Sequence, residues 1–284
     1  MNAPEKIAFL PDIQSEADGR DLPIDAVGIH RVRYLVTLVA DRRLVPTIAT
    51  LSMTVGLPGI TKGTHMSRFI ELLEARTEAL DQQGFKALVF DMLDRLDARS
   101  GSLEMRFPYF VRKAAPVSGV QSQLDYEVCW RGSVSEQGRY ALQIEVTVPA
   151  TSLCPCSKTI SDYGAHNQRS HIRIETELMA EMAIEELIAI AESSASCEVY
   201  GLLKRADEKF VTERAYDNPK FVEDIVRDVA LALNREPRVG DYVVEVENFE
   251  SIHNHSAFAR IVRTATRSAQ PGRPLDPRLQ RLAQ

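Results

Sequence analysis

Residues 140–148 read YALQIEVTV, and this alternation decides the fold. Tyr140, Leu142, Ile144, Val146 and Val148 are apolar at every second position, the mark of a strand with one buried face. Working outward, His171–Leu178 reads as its partner strand and Met182–Ala195 as a helix. Asn218 and Pro219 pair a cap-type residue with proline, which predicts a helix start. Phe221, Val222, Ile225, Val226 and Val229 would give that helix its apolar face, and Asp241–Glu250 closes as a strand. The same order runs upstream. Val27–Ala40 and Val45–Gly56 read as strands, and His65–Leu80 as a helix with Phe69, Leu72, Leu73, Ala79 and Leu80 mostly three or four apart. Gly84 breaks it before a second helix, Phe85–Leu96. Leu103–Ala114 and Gln121–Ser133 then follow as strands, with Leu124, Tyr126, Val128 and Trp130 alternating.

Strand–strand–helix–helix–strand thus occurs twice, which predicts a tandem α+β protein with antiparallel sheets and helices packed on one face. The modules are expected at residues 21–134 and 135–264. Residues 1–20 and 265–284 read as flexible tails, the latter mixing Pro, Arg and Gly with little apolar content.

The 284 residues are 44% hydrophobic and 26% charged, ordinary for a soluble globular protein with a sizeable core. A formal net charge of −6 argues against nucleic acid as a partner. No apolar run approaches the roughly 20 residues that span a bilayer, so no membrane association is expected. The N-terminal stretch is acidic and polar, unlike a secretory signal. The four cysteines show no disulfide framework, and a cytoplasmic location is expected.

Chemistry concentrates in residues 152–170, SLCPCSKTISDYGAHNQRS. Cys154 and Cys156 flank Pro155, and His166 follows. Thiolate and imidazole suit a borderline-soft divalent metal, and the stretch carries no periodicity, as expected of a functional loop. Three further segments are polar without structural need: Lys62–Arg68 (KGTHMSR), Lys204–Arg214 (KRADEKFVTER) and Asn248–His255 (NFESIHNH). Each also has a plainer explanation: a helix cap, a solvated helix face and a surface turn. The cysteines alone could be structural thiols. His253 and His255 would point the same way in an extended chain, and spacing does not say which binds a metal.

Together these motifs resemble the type IB GTP cyclohydrolases. The likeness is carried by SLCPCSK and YGAHNQRSH, by KGTHMSRF upstream, and by RADEKFVTERAYDNPKFVED and ESIHNHSAFA downstream. It extends from about Leu10 to about Val262. The resemblance implies the tunnelling fold, two modules per chain, homotetramers with active sites between subunits, and conversion of GTP and water to 7,8-dihydroneopterin triphosphate and formate at the entry to folate synthesis. It also implies one divalent ion per site, with zinc, manganese and iron(II) as candidates.

Carried over by motif, Cys154, His166, Glu208 and His253 would be the metal ligands, with Cys154, Glu223 and His253 in catalysis. A metal lowers the pKa of its bound water from about 15.7 to roughly 7, making a nucleophile available at neutral pH. Glu223 resembles the family's guanine anchor, a carboxylate facing the ring N–H and 2-amino group. Lys62, His65 and Arg68, with Lys204 and Arg205 behind them, are the triphosphate candidates. Cys156 is expected beside the site rather than on the metal. Two other readings are a nitrile reductase of the same fold, with Cys154 as nucleophile, and a non-catalytic protein with a structural metal.

Overall fold

The computed structural model describes residues 12–40 and 43–264. Residues 1–11 and the whole expected C-terminal tail lie outside the described residues. The first half runs β1 (Ile24–Ala40), β2 (Arg43–Leu57), α1 (Ser67–Glu74), α2 (Gln82–Leu96), β3 (Gly101–Ala114) and β4 (Gln121–Val134). The second half runs β5 (Tyr140–Leu153), α3 (Pro155–Ile160), β6 (Asn167–Leu178), α4 (Ile184–Ser194), β7 (Cys197–Glu198), α5 (Arg205–Asp217), α6 (Val222–Arg235), β8 (Val239–Phe249) and β9 (Ala257–Arg263).

All pairings between named strands are antiparallel, in the order β1-β2-β3-β4-β5-β6-β8-β9, with β7 beside β5. The two halves join edge to edge in one sheet. Residues 135–139 turn β4 back into β5, and the ladder runs from Val134↔Tyr140 to Glu127↔Thr147.

Alternation along each strand sends one set of side chains to the core. Leu142, Ile144, Val146, Val148 and Ala150 of β5 are buried, as are Leu103, Met105, Phe107 and Tyr109 of β3. The helices cover this face. Trp130 meets Phe107 of β3 and Phe85 of α2 edge-on, with centroids 5.7 and 5.5 Å away. Ile184, Leu187, Ile188 and Ala191 of α4 and Val222, Ile225, Val226 and Val229 of α6 fall at helical spacing and are buried.

The opposite face carries charge. Arg106, Arg131, Arg173 and Arg260 alternate with Glu104, Glu145, Glu175 and Glu245 from β3 to β9. Burial favours the neutral acid in Glu104 and Glu145, yet their arginine partners outweigh it and hold both carboxyls below the ordinary range.

Four differences from the sequence reading have physical causes. Asn218 does not start a helix: it follows α5, and its amide donates to the Ala195 and Ser196 carbonyls at 2.9 and 3.2 Å. The next helix begins at Val222, where the Asp224 carboxylate accepts from the Phe221 N–H at 2.9 Å. Residues 152–170 are only partly loop, since they hold the end of β5, all of α3 and the start of β6. β9 adds a final strand at the edge. Residues 12–20, assigned to the N-terminal tail, make a 3₁₀ turn at Ile13–Ser15 and a bridge from Ala17 to Thr61.

Candidate active site

Cys154 directly follows β5, and the backbone before it is fixed from both sides. The Leu153 N–H donates to Ser196 Oγ at 3.1 Å, and its carbonyl accepts from the Lys220 N–H at 3.1 Å. Cys154 is the N-cap of α3 with Pro155 at the first helical position, where proline's missing N–H costs nothing. Ser157 then closes the loop: its N–H donates to Cys154 Sγ at 3.5 Å, its hydroxyl donates to the Cys154 carbonyl at 3.0 Å, and it accepts from the His166 N–H at 3.3 Å. The Cys154 N–H donates to the His166 carbonyl at 3.3 Å, so these two residues continue the β5–β6 ladder past Leu153↔Asn167.

Beneath the loop lies a small separate core of Leu153, Cys197 and Ala215, packed by Ala165 and Val211. It seats α5 against the Cys154–His166 segment. Glu208 stands one turn before Val211 and shares that face of α5; it is exposed. Its neighbour Asp207 is fully buried. Burial would raise the Asp207 carboxyl, but the Ser118 hydroxyl and the N–H groups of Ser118, Lys204 and Val117 all donate to it and hold it far below the usual range. Asp207 thus ties α5 to the β3–β4 hairpin.

The third wall comes from the turn after β8. Gln168 Nε2 donates to Glu250 Oε1 at 3.1 Å, and Ser251 Oγ lies 2.8 Å from His166 Nδ1. Behind them, Ser170 Oγ lies 2.9 Å from Ser152 Oγ and 2.7 Å from Asn248 Oδ1, all three residues buried. His253 is exposed two residues beyond Ser251, its ring stacked on His255 at 5.2 Å. Glu223 is exposed in the first turn of α6, a segment drawn to the end of β5 by the Lys220–Leu153 hydrogen bond.

The donor set suits a divalent ion in kind, and the chain assembles part of it. Cys154 and His166 share one closed loop, Glu208 lies on the helix packed over it, and His253 follows the turn bonded to His166. Among the described residues, no three His, Cys, Asp or Glu side chains converge closely enough to hold an ion. Cys156 is exposed within α3.

Lys62, His65 and Arg68 lie elsewhere. β2 ends where β5 begins, and Cys154 follows the other end of β5. The 14 residues of β5 put about 45 Å between those ends. There Lys62 pairs with Glu16, His65 Nε2 lies 3.3 Å from Asp12, and Arg68 donates to the Arg95 carbonyl at 3.3 Å. Lys204 and Arg205, by contrast, begin α5 at the Cys154 end. Ser157, Ser251, Gln168 and Asp207 are neighbours of the candidate site that the sequence reading did not single out. Only their closeness in sequence to Cys154, His166, His253 and Glu208 pointed to them.

A family model described as type I GTP cyclohydrolase folE2 matches residues 10–259. The chain belongs to that family. GTP cyclohydrolase FolE2 1 of Dechloromonas aromatica is 60% identical over 262 residues, covering 92% of this chain and 98% of that relative. GTP cyclohydrolase FolE2 of Paraburkholderia phymatum is 56% identical over 262 residues, with 92% and 97% covered. Neither the nitrile reductase nor the purely structural reading finds a counterpart among these family members. Among solved structures, a hyperthermostable mutant of the urate oxidase from Bacillus sp. TB-90 superposes with a TM-score of 0.50 at 9% identity, over 85% of this chain and 99% of that one. That likeness concerns the fold alone.

Proposed function

We propose that the chain is a metal-dependent GTP cyclohydrolase of type IB with the tunnelling fold, which converts GTP and water to 7,8-dihydroneopterin triphosphate and formate in folate synthesis. The observation that carries this reading is the closed Cys154–His166 loop inside a family motif. There Ser157 bonds the Cys154 thiol and the His166 backbone N–H, Ser251 touches the His166 imidazole, and the helix of Glu208 and the turn of His253 flank the loop. These four residues would hold one zinc, manganese or iron(II) ion, whose Lewis acidity makes water a competent nucleophile at neutral pH.

The chain's own residues do the rest. The exposed Glu223 carboxylate, three residues beyond the Lys220 N–H that binds the Leu153 carbonyl, accepts from the guanine ring N–H and 2-amino group. Adenine lacks both donors and would leave a desolvated carboxylate unpaired. The triphosphate candidates Lys62, His65 and Arg68 stand at the opposite end of β5 from Cys154, too far to serve the same bound nucleotide within one chain. A site that uses both sets draws them from two chains, which supports sites shared between subunits; the proposal includes a homotetramer and a cytoplasmic location.

The test is incubation of metal-free protein with GTP and zinc, manganese or iron(II), scored for formate and for a fluorescent pterin after oxidation. Metal-dependent release of both is expected. Folded protein that makes neither with any of the three ions would sink the reading.

A further inference from the structure

The turn that carries His253 is anchored at two points, and one of them touches His166. Glu250 is held by the Gln168 amide at 3.1 Å, and Ser251 Oγ sits 2.8 Å from His166 Nδ1. β6 and β8 end their backbone ladder at Arg169↔Phe249, so these side-chain bonds continue the pairing past the last ladder residue. Ser251 is exposed and contributes nothing to the core.

A hydroxyl beside one imidazole nitrogen can accept or donate, and the direction of that bond goes with where the ring proton resides. If Nδ1–H donates to Ser251 Oγ, the lone pair is left on Nε2. If the hydroxyl donates to Nδ1, the proton is on Nε2 and that atom cannot bind a cation. Ligating histidines nearly always donate their second nitrogen to an oxygen.

We infer that Ser251 is a positioning residue: it accepts from His166 Nδ1–H, fixes the tautomer with a free Nε2, and holds the His253 turn against His166. The inference deepens the metal-site reading above and rests on it. Ser251 contacts neither substrate nor ion in this role; it acts through His166.

Two measurements on Ser251→Ala and Ser251→Thr test it. The first is magic-angle-spinning NMR of metal-free protein labelled with ¹³C,¹⁵N-histidine, in mildly alkaline buffer where imidazoles are neutral. Signals of His166 are assigned by their loss in His166→Gln. The wild type and Ser251→Thr should show the Nδ1–H form, and Ser251→Ala should lose it. The second is zinc affinity by competition with a chromophoric chelator. Ser251→Ala should bind on the order of 10–100-fold more weakly, with Ser251→Thr restoring most of the loss and unfolding midpoints of the metal-free proteins unchanged. A wild type that carries the Nε2–H form overturns the proposal. So does a Ser251→Ala protein that keeps both tautomer and affinity. Wild-type protein that takes up no stoichiometric zinc, manganese or iron(II) would instead remove the metal reading, and the tautomer would still decide the role of Ser251.

Discussion

Ser170→Ala should cost far more than one missing hydroxyl suggests. Ser170 Oγ sits between Ser152 Oγ at 2.9 Å and Asn248 Oδ1 at 2.7 Å, joining β5, β6 and β8 beneath the Cys154 loop. The three residues are 0%, 0% and 2% exposed, so water does not replace the lost partner. Each hydrogen bond contributes about 1 kcal/mol net, and a buried group left unpaired costs about 1–3 kcal/mol. The Ser152 bond accounts for about 1 kcal/mol and the orphaned Asn248 Oδ1 for about 1–3 kcal/mol, so the substitution destabilises the protein by about 2–4 kcal/mol. Urea unfolding at fixed protein concentration measures this through Trp130, the only tryptophan, 3% exposed in the core. The midpoint should fall with the slope unchanged. Ser170→Ala combined with Asn248→Ala should lose less than the sum of the two single variants, because the second change removes the orphaned acceptor. A Ser170→Ala midpoint within about 0.5 kcal/mol of wild type, or strict additivity in the double variant, would refute the reasoning.

Cys154→Ala and His253→Ala should each lose bound metal and GTP turnover; full metal occupancy with normal turnover in either removes that residue from the site. Glu223→Gln should retain metal but lose GTP binding by calorimetry, and normal binding would displace Glu223 as the guanine anchor. Acid should weaken the charged face in a defined window. Glu104 and Glu145 have folded-state values below the unfolded value of about 4.3. Their stabilisation is complete above that value and lost as pH falls through the folded ones. Arg131→Met should flatten the stability–pH curve below about pH 4, and an unchanged curve would contradict the pairing.

The regular half of the fold was legible because burial and periodicity coincide. β5 shows it best, with Leu142 to Ala150 alternating in both sequence and burial. β9 was not, since Phe258 and Val262 flank Arg260 on the face opposite Ala257, Ala259 and Ile261 and blur the contrast between the two. α5 was legible only as a solvated helix face: Asp207 and Ala215 are its buried residues, so no apolar stripe marks how it packs. Asn218-Pro219 carries the chemistry of a helix start, but the amide is consumed by two carbonyls of a segment more than twenty residues earlier, which no local pattern reveals. At the site, cysteine and histidine announced themselves by residue type. Ser157 and Ser251 did not, because serine is common everywhere and acquires meaning only when the fold brings it within hydrogen-bond reach.

The ladder of arginine and glutamate on the helix-free face has a kinetic consequence. Its four guanidiniums cancel its four carboxylates, so it projects little field beyond its own side chains. Lys62 is likewise matched by Glu16. On these two surfaces a polyanion meets paired charge, while the net charge of −6 repels it diffusely. Added salt screens that repulsion within a Debye length of about 10 Å at 0.1 M. Encounter with a triphosphate should then quicken as ionic strength rises, the reverse of the usual behaviour for proteins that collect phosphates through a basic surface.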